Sequence, residues 1–163
     1  MKRKRSSHRA QAGFSLIELL IVVAIIAILA TVAVPRLLKS LETGRESAAI
    51  QTLRTIHNGQ ASYQATKQRF ATLKELNEAG QIDANFANGS PVSGYVYTSA
   101  PEVTQDSYCV QATRQAASTA SRDFNVIEDG TIRYVESKAP SPIPHGEGSP
   151  LADASSAAGA PAK

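Results

Sequence analysis

The N-terminal part of the chain contains one long, almost purely apolar run. Between Phe14 and Val34 only Ser15, Glu18 and Thr31 are polar. A helix rises about 1.5 Å per residue, so this run would measure roughly 30 Å, which is the thickness of the hydrocarbon core of a bilayer. In lipid a single span has to be helical, because its backbone groups find no water to bond. The pattern therefore predicts one transmembrane helix.

Basic residues are concentrated ahead of this run. Five of the 17 Lys and Arg residues lie in the first 13 positions, and the remainder of the chain has 12 basic against 14 acidic residues. The formal net charge of +3 thus belongs to the leader and does not indicate a nucleic-acid-binding domain. By the positive-inside rule the N-terminus lies in the cytoplasm. The apolar run also exceeds the roughly 7–15 residues typical of a secretory signal peptide.

Two residues distinguish the run from a plain membrane anchor. Glu18 places an ionisable group near the start of the span, where it needs a partner. The alternative is that its carboxylate snorkels to the interface and is stabilised by the helix dipole. Pro35 removes a helical hydrogen bond and predicts a kink, and the alternative is that the helix simply ends there.

An amphipathic helical pattern continues beyond Pro35. Apolar residues recur at helical spacing and predict one buried face; they are Leu38, Leu41, Ala49, Leu53, Ile56 and Tyr63. Charged residues between them, Glu46 included, predict a solvated opposite face. Joined to the apolar run, this segment predicts a helix of about 50 residues with a length near 75 Å.

Residues 72–136 carry the signals of a short helix and a small sheet. Thr72 and Glu75 form a capping-box signature, and Gly80 supplies a helix stop. Aromatic and β-branched stretches predict three or four strands, from the stretches at residues 94–98, 107–112, 124–128 and 131–136. Asp129-Gly130 predicts a tight two-residue hairpin between the last two strands. The chain is therefore expected to be α+β, with the amphipathic half of the long helix packed on a small antiparallel sheet.

The composition changes abruptly at Ala139. Nineteen of the last 25 residues are Ala, Pro, Ser or Gly. Such a segment buries too little apolar area to offset its ordering entropy, so it is expected to be disordered. The predicted organisation is then a leader, a transmembrane helix, an amphipathic helix with its globular domain, and a tail, at residues 1–13, 14–35, 36–138 and 139–163.

No catalytic or metal-binding constellation is evident in the sequence. The single Cys109 excludes an intrachain disulfide and a multi-thiolate cluster. The histidines His8, His57 and His145 are widely separated. Neither a nucleophile–base pair of useful spacing nor a glycine-rich phosphate loop is present. We therefore expect a structural protein rather than an enzyme, with no catalytic residue, no cofactor and no metal.

The junction between the leader and the apolar run resembles a known signature. Gly13-Phe14-Ser15-Leu16-Ile17-Glu18 is similar to the prepilin motif of the type IV pilin superfamily, which includes the pseudopilins of type II secretion systems. The resemblance implies a type IV pilin-like fold. It implies that a prepilin peptidase cuts between Gly13 and Phe14 and N-methylates Phe14. It also implies that Glu18 acts in filament assembly, and Pro35 stands where many type IV pilins have proline.

The resemblance further implies a filament subunit as the function. The chain would be held in the inner membrane, with its N-terminus in the cytoplasm, and then assembled into a type IV pilus or pilus-like fibre at the cell surface. Its partners would be further copies of itself, prepilin peptidase, an inner-membrane assembly platform and, before assembly, membrane lipid; no nucleic acid is required. One alternative is a major or minor pseudopilin of a type II secretion system, which forms a periplasmic pseudopilus. Another is a membrane-anchored binding domain, in which the helix would be a mere anchor and would have no use for Glu18.

We expect the mature protein to begin at N-methylated Phe14. Gly13 has no side chain to obstruct a peptidase at the membrane face. Intact-mass analysis of protein from membranes or sheared fibres, with fragmentation of the N-terminal peptide, identifies the first residue and its methyl group. Retention of Met1, or cleavage after Ala30, would contradict the resemblance to the pilins.

Overall fold

The computed structural model describes residues 14–100 and 103–151. Three helices precede five strands: α1 (Leu16–Lys67), α2 (Leu73–Glu78), α3 (Ala84–Ala87), β1 (Tyr95–Ser99), β2 (Cys109–Arg114), β3 (Arg122–Ile127), β4 (Ile132–Glu136) and β5 (Ser149–Pro150). The strands form one antiparallel sheet in the order β1-β2-β3-β4-β5. The predicted α+β architecture, with a long N-terminal helix and a small antiparallel sheet, is confirmed.

The chain divides into two compact units, residues 1–39 and residues 40–163. The division falls inside α1, a few residues beyond Pro35. In the described part of the first unit the large apolar side chains of α1 are exposed, and the helix is long and apolar enough to be a candidate membrane span. The first unit therefore consists, as far as it is described, of helix whose apolar residues face outward.

In the second unit, α1 packs against the sheet. Ala49, Leu53, Ile56 and Tyr63 of the predicted apolar face are buried. The inner face of the sheet contributes a second set of buried residues to the same core: Tyr95, Tyr97, Val110, Ala112, Phe124 and Val126. Leu41, which the same helical pattern placed on the buried face, is 48% exposed. The buried face of α1 therefore begins later along the helix than the sequence predicts.

Two polar residues of α1 are buried as well. Glu46, which the pattern placed on the solvated face, is only 4% exposed, and Gln60 is fully buried. The Gln60 amide donates from Nε2 to the Ala71 carbonyl at 2.6 Å and accepts from the Ala71 N–H at 2.9 Å. Because both ends of this amide are hydrogen-bonded, its burial leaves no polar atom without a partner. Gln60 thereby ties α1 to the segment that leads into α2.

The capping box at the start of α2 is confirmed. The Thr72 hydroxyl accepts from the Glu75 N–H at 3.3 Å, and the Glu75 carboxylate accepts from the Thr72 N–H at 2.8 Å. Arg69 forms an ion pair with Glu75 at 2.6 Å. These contacts lower the pKa of the Glu75 carboxyl to about 2, with the hydrogen bond from Arg69 as the largest cause. Gly80, with φ of +70°, terminates the helix as predicted.

The predicted two-residue hairpin is wrong. Four residues separate β3 from β4, and of Asp129 and Gly130 only the glycine has a positive φ, +73°. A tight hairpin turn of this type needs positive φ at both central residues. Instead Gly130 N–H donates to the Ile127 carbonyl at 3.0 Å, and the Asp129 carboxylate accepts from the Thr131 N–H at 2.7 Å. The Asp129 side chain therefore stabilises a longer connection.

The four predicted strands are present, and each begins within two residues of its predicted start.

The prediction that the tail is disordered is wrong for residues 139–151. Ile143 is buried in this segment, β5 pairs with β4, and the Leu151 N–H donates to the Ile132 carbonyl at 2.8 Å. Residues 152–163 lie outside the described part of the chain. Composition alone misses this segment, because side chains of the sheet bind its backbone.

Replacing Leu53 and Leu41 separately with alanine tests where the buried face of α1 begins. Leu53→Ala removes a fully buried side chain and should lower the free energy of unfolding by about 2–5 kcal/mol. Leu41→Ala, on the same helix, should change it by no more than about 0.5 kcal/mol. Urea unfolding of the full chain in detergent measures both. Equal losses from the two variants would contradict the described core.

Candidate functional site

The predicted cleavage site is only partly described. Gly13 and the rest of the predicted leader lie outside the described residues. Phe14 stands ahead of the first turn of α1, and its side chain is exposed. The cut between Gly13 and Phe14, and the methylation of Phe14, stay predictions.

Glu18 lies in the first turn of α1, where it caps the start of its own helix. Its Oε2 atom accepts a hydrogen bond from the Ser15 N–H at 3.0 Å. This is the contact that a carboxylate at the third helical position makes in a capping box, and it also places negative charge at the positive end of the helix dipole. The contact with Ser15 gives the Glu18 carboxylate no positive partner, and residues 14–34 contain no Lys, Arg or His. The side chains of this run therefore cannot neutralise the Glu18 carboxylate.

Pro35 lies inside α1, with helix on both sides. The alternative that the helix ends at this proline is therefore wrong. Pro35 has no N–H to donate to the Thr31 carbonyl, and the Thr31 hydroxyl donates to the Ile28 carbonyl at 2.7 Å. The kink at Pro35 stays a prediction, since it depends on how far the helix bends around that missing hydrogen bond.

The apolar side chains of residues 14–34 are exposed on every side of the helix. All of the large ones are more than half exposed, among them Leu16, Leu20, Ile25 and Leu29. A helix that is apolar all round is stable only where its whole circumference is covered, in lipid or among other helices. This half of α1 is therefore a surface that requires an apolar environment.

Glu46 occupies a different environment on the same helix, where it joins α1 to β3. Its Oε2 atom forms an ion pair with Arg122 and accepts from Arg122 Nε at 2.9 Å, and its Oε1 atom accepts from the Ser121 N–H at 3.3 Å and hydroxyl at 3.2 Å. Burial acts to raise the pKa of the Glu46 carboxyl, but the hydrogen bonds and charge of Arg122 and the bonds from Ser121 outweigh it, so the pKa is lowered overall. The Glu46 side chain therefore anchors the helix to the sheet as a carboxylate.

Ser107, His145 and Glu128 form a cluster that the sequence does not predict, because the three residues are far apart in the chain. Ser107 Oγ and Glu128 Oε2 lie 3.2 Å and 2.9 Å from the same atom, His145 Nε2. In a hydrolytic relay the acid and the nucleophile bind opposite ring nitrogens. Nearby Cys109 is buried, and burial raises the pKa of its thiol to about 11, which disfavours the reactive thiolate. The arrangement gives no support for catalysis by this cluster.

An exposed apolar helix that begins at a prepilin-like junction and continues into an α+β domain is typical of pilin-like proteins. Comparison with known proteins supports this class. Residues 8–34 match the family model described as the prokaryotic N-terminal methylation motif.

Two curated proteins are similar over part of the chain. The type IV major pilin protein PilA of Myxococcus xanthus (strain DK1622) is 41% identical over 68 residues, which cover 42% of this chain and 30% of PilA. The type II secretion system core protein G of Aeromonas hydrophila is 30% identical over 67 residues, which cover 41% of this chain and 47% of that protein. The matched region thus spans less than half of each relative.

The methylation motif and the two relatives confirm the resemblance to the type IV pilin and pseudopilin superfamily. They support a pilin-like structural subunit, since one relative is a pilin and the other a core protein of a secretion system. Together with the apolar half of α1, they fit a membrane-anchored protein of this kind.

The Glu46 anchor predicts a pH-dependent contribution to stability. A carboxyl whose pKa is lowered on folding stabilises the protein above its ordinary pKa, near 4.5, and this contribution is lost as the pH falls through the lowered value. Glu46→Gln should therefore cost about 1–3 kcal/mol at pH 7, and the difference from the unmodified protein should shrink near pH 3. Urea unfolding at both pH values measures this. Glu78→Gln, at an exposed helical position, is the control, and an equal deficit of Glu46→Gln at both pH values would contradict the anchor.

Proposed function

We propose that the chain is the structural subunit of a type IV pilus or pilus-like filament that assembles from the inner membrane. The observation that carries the proposal is the exposed apolar surface of residues 14–34. Full burial of a Leu, Ile or Val side chain contributes about 1.5–3 kcal/mol, so a run of such side chains is not stable in water. Lipid covers it before assembly, and the same run of neighbouring copies covers it in the fibre.

Transfer between these two environments keeps the run out of water at both stages. Lipid tails and packed helices are similarly apolar, so extraction from the membrane into a fibre does not require the hydrophobic stabilisation to be lost. The positive-inside rule places the N-terminus in the cytoplasm. A prepilin peptidase acting there removes residues 1–13, and an inner-membrane platform adds the processed subunit to the fibre.

Glu18 favours one arrangement of subunits when the apolar run moves from the membrane into the fibre. Cleavage before Phe14 creates a positively charged amine, and methylation preserves that charge. In a packed fibre the amine and the Glu18 carboxylate both leave water, which is costly unless they pair. One carboxylate oxygen accepts from the Ser15 N–H, and in the proposed fibre the other oxygen pairs with the amine. A pair between neighbouring copies would in addition fix the axial register, as buried ionic groups do in some assemblies.

The main alternative is a pseudopilin of a type II secretion system. The similarity to the Aeromonas core protein G supports it, and the physical argument for the apolar run and Glu18 applies to either fibre. Deletion of the gene separates the two, because a pilus subunit is needed for a surface fibre and a pseudopilin is needed for exoprotein secretion. A membrane-anchored binding domain, the alternative of another class, would assemble no fibre.

Substitutions of Glu18 test the assembly mechanism. Glu18→Ala should be made, inserted and cleaved, yet should form no fibres, because removing one partner of a buried pair costs about 3–5 kcal/mol at every subunit. Glu18→Asp should be partly impaired. Glu18→Gln keeps an oxygen for the Ser15 N–H but has no charge, so it should fail like Glu18→Ala. Sheared-fibre yield and processing on immunoblots measure the result.

Thr31 provides the control for the Glu18 substitutions. Thr31→Ala removes another polar side chain of the same run and should assemble normally. If Glu18→Gln assembled while Glu18→Ala did not, Glu18 would act as a helix cap alone. Normal fibres from Glu18→Ala would contradict the assembly role altogether.

A further inference from the structure

Residues 137–147, which we call the strap, cover the face of the sheet opposite α1. Gln111 and Asn125 are neighbours in register, and side chains of paired residues share a face. The adjacent pair, Ala112 and Phe124, belongs to the core beneath α1. Gln111 and Asn125 therefore point to the other face, on which the strap lies.

The strap is bound through its backbone carbonyls. Gln111 Nε2 donates to the Ile143 carbonyl at 2.8 Å, and Asn125 Nδ2 donates to the Pro144 carbonyl at 3.0 Å. Asn125 is fully buried, and the Ile143 side chain is buried as well. Side-chain amides of the sheet thus satisfy backbone acceptors in a segment whose three prolines have no N–H group.

A fully buried ion pair lies where the strap begins. Arg114 on β2 and Asp123 on β3 are 3% and 1% exposed, and Arg114 Nη2 is 3.3 Å from Asp123 Oδ2. The Arg114 guanidinium also donates to the carbonyls of Ser137 and Ala139, each at 2.9 Å. Asp123 Oδ2 accepts from the Ser141 N–H at 3.1 Å. Both members of the pair therefore bind the strap as well as each other.

We propose that Arg114 and Asp123 form a buried lock that holds the strap closed on the sheet, so that residues 137–147 are an integral part of the domain. Opening the strap removes acceptors from Arg114 and a donor from Asp123 in a region shielded from water, which is strongly unfavourable. The far end of the strap lacks such a lock. There His145 contacts Ser107 and Glu128 with partly exposed side chains, and exposed pairs contribute little.

Hydrogen exchange of the unmodified protein tests the proposal without any substitution. In the full chain in detergent the Ser141 amide, which donates to Asp123, should exchange at least about 100-fold more slowly than an unprotected amide, because its exchange requires the lock to open. Exchange of the Ser141 amide within a few-fold of the unprotected rate would overturn the proposal.

Trypsin cleavage after Lys138, an exposed strap residue, identifies the lock residues. In Arg114→Met and Asp123→Asn, cleavage of this bond, measured by mass spectrometry, should accelerate about ten-fold or more, while cleavage after Lys74 on α2 stays unchanged. Arg133→Met removes an arginine of the next strand that pairs with the partly exposed Asp129, and it should leave the Lys138 rate within about two-fold.

Two outcomes of the proteolysis would overturn the lock. An unchanged Lys138 rate in both variants would show that the pair does not hold the strap. Equal acceleration after Lys138 and Lys74 would show that the pair supports the whole domain rather than the strap. If a variant fails to fold, hydrogen exchange of the unmodified protein decides the question.

Discussion

The apolar side chains of the first half of α1 have to be kept out of water, and the described part of the chain leaves them exposed. This requirement limits the surroundings in which residues 14–34 are stable to those that cover them with apolar groups. An ordinary globular domain buries the apolar stripe of each helix against its own sheet, as the second half of α1 does with Leu53 and Ile56. Residues 14–34 are apolar all round, so one sheet could not cover them. In the proposed function, lipid surrounds this run before assembly, and the same run of neighbouring copies surrounds it in the fibre.

Two glutamates on α1 show how the helix is divided between roles. Glu46 has a complete set of partners within its own unit, namely Arg122 and Ser121, and its negative charge fixes the helix to the sheet. Glu18 accepts a hydrogen bond from the Ser15 N–H, and the apolar run around it contains no basic side chain. The same side chain is thus a structural anchor at one position. At the other position it caps the start of its own helix, and in the proposed fibre it pairs with the Phe14 amine.

Local sequence signals predicted most of the fold, whereas contacts between distant residues were missed. Helical spacing identified the buried face of α1, and the Thr72 capping box was recognisable because its partner is three residues away. Burial of Glu46 was not predictable, since its partner Arg122 lies on a different element and only the fold brings them together. The strap was missed for a similar reason. Gln111 and Asn125 bind its backbone carbonyls, and amino-acid composition does not reveal such contacts. At the candidate site, the junction motif indicated Glu18, but its contact with Ser15 needed coordinates.

The central claim is that fibre subunits cover each other's apolar run and pair Glu18 with the Phe14 amine. Electron cryomicroscopy of sheared fibres tests it most directly. The account predicts that residues 14–34 of neighbouring copies pack in the fibre interior, away from water, with each Glu18 carboxylate within hydrogen-bonding distance of a Phe14 amine. A fibre held together by the globular domains alone, with these helices facing solvent and Glu18 remote from any amine, would contradict it.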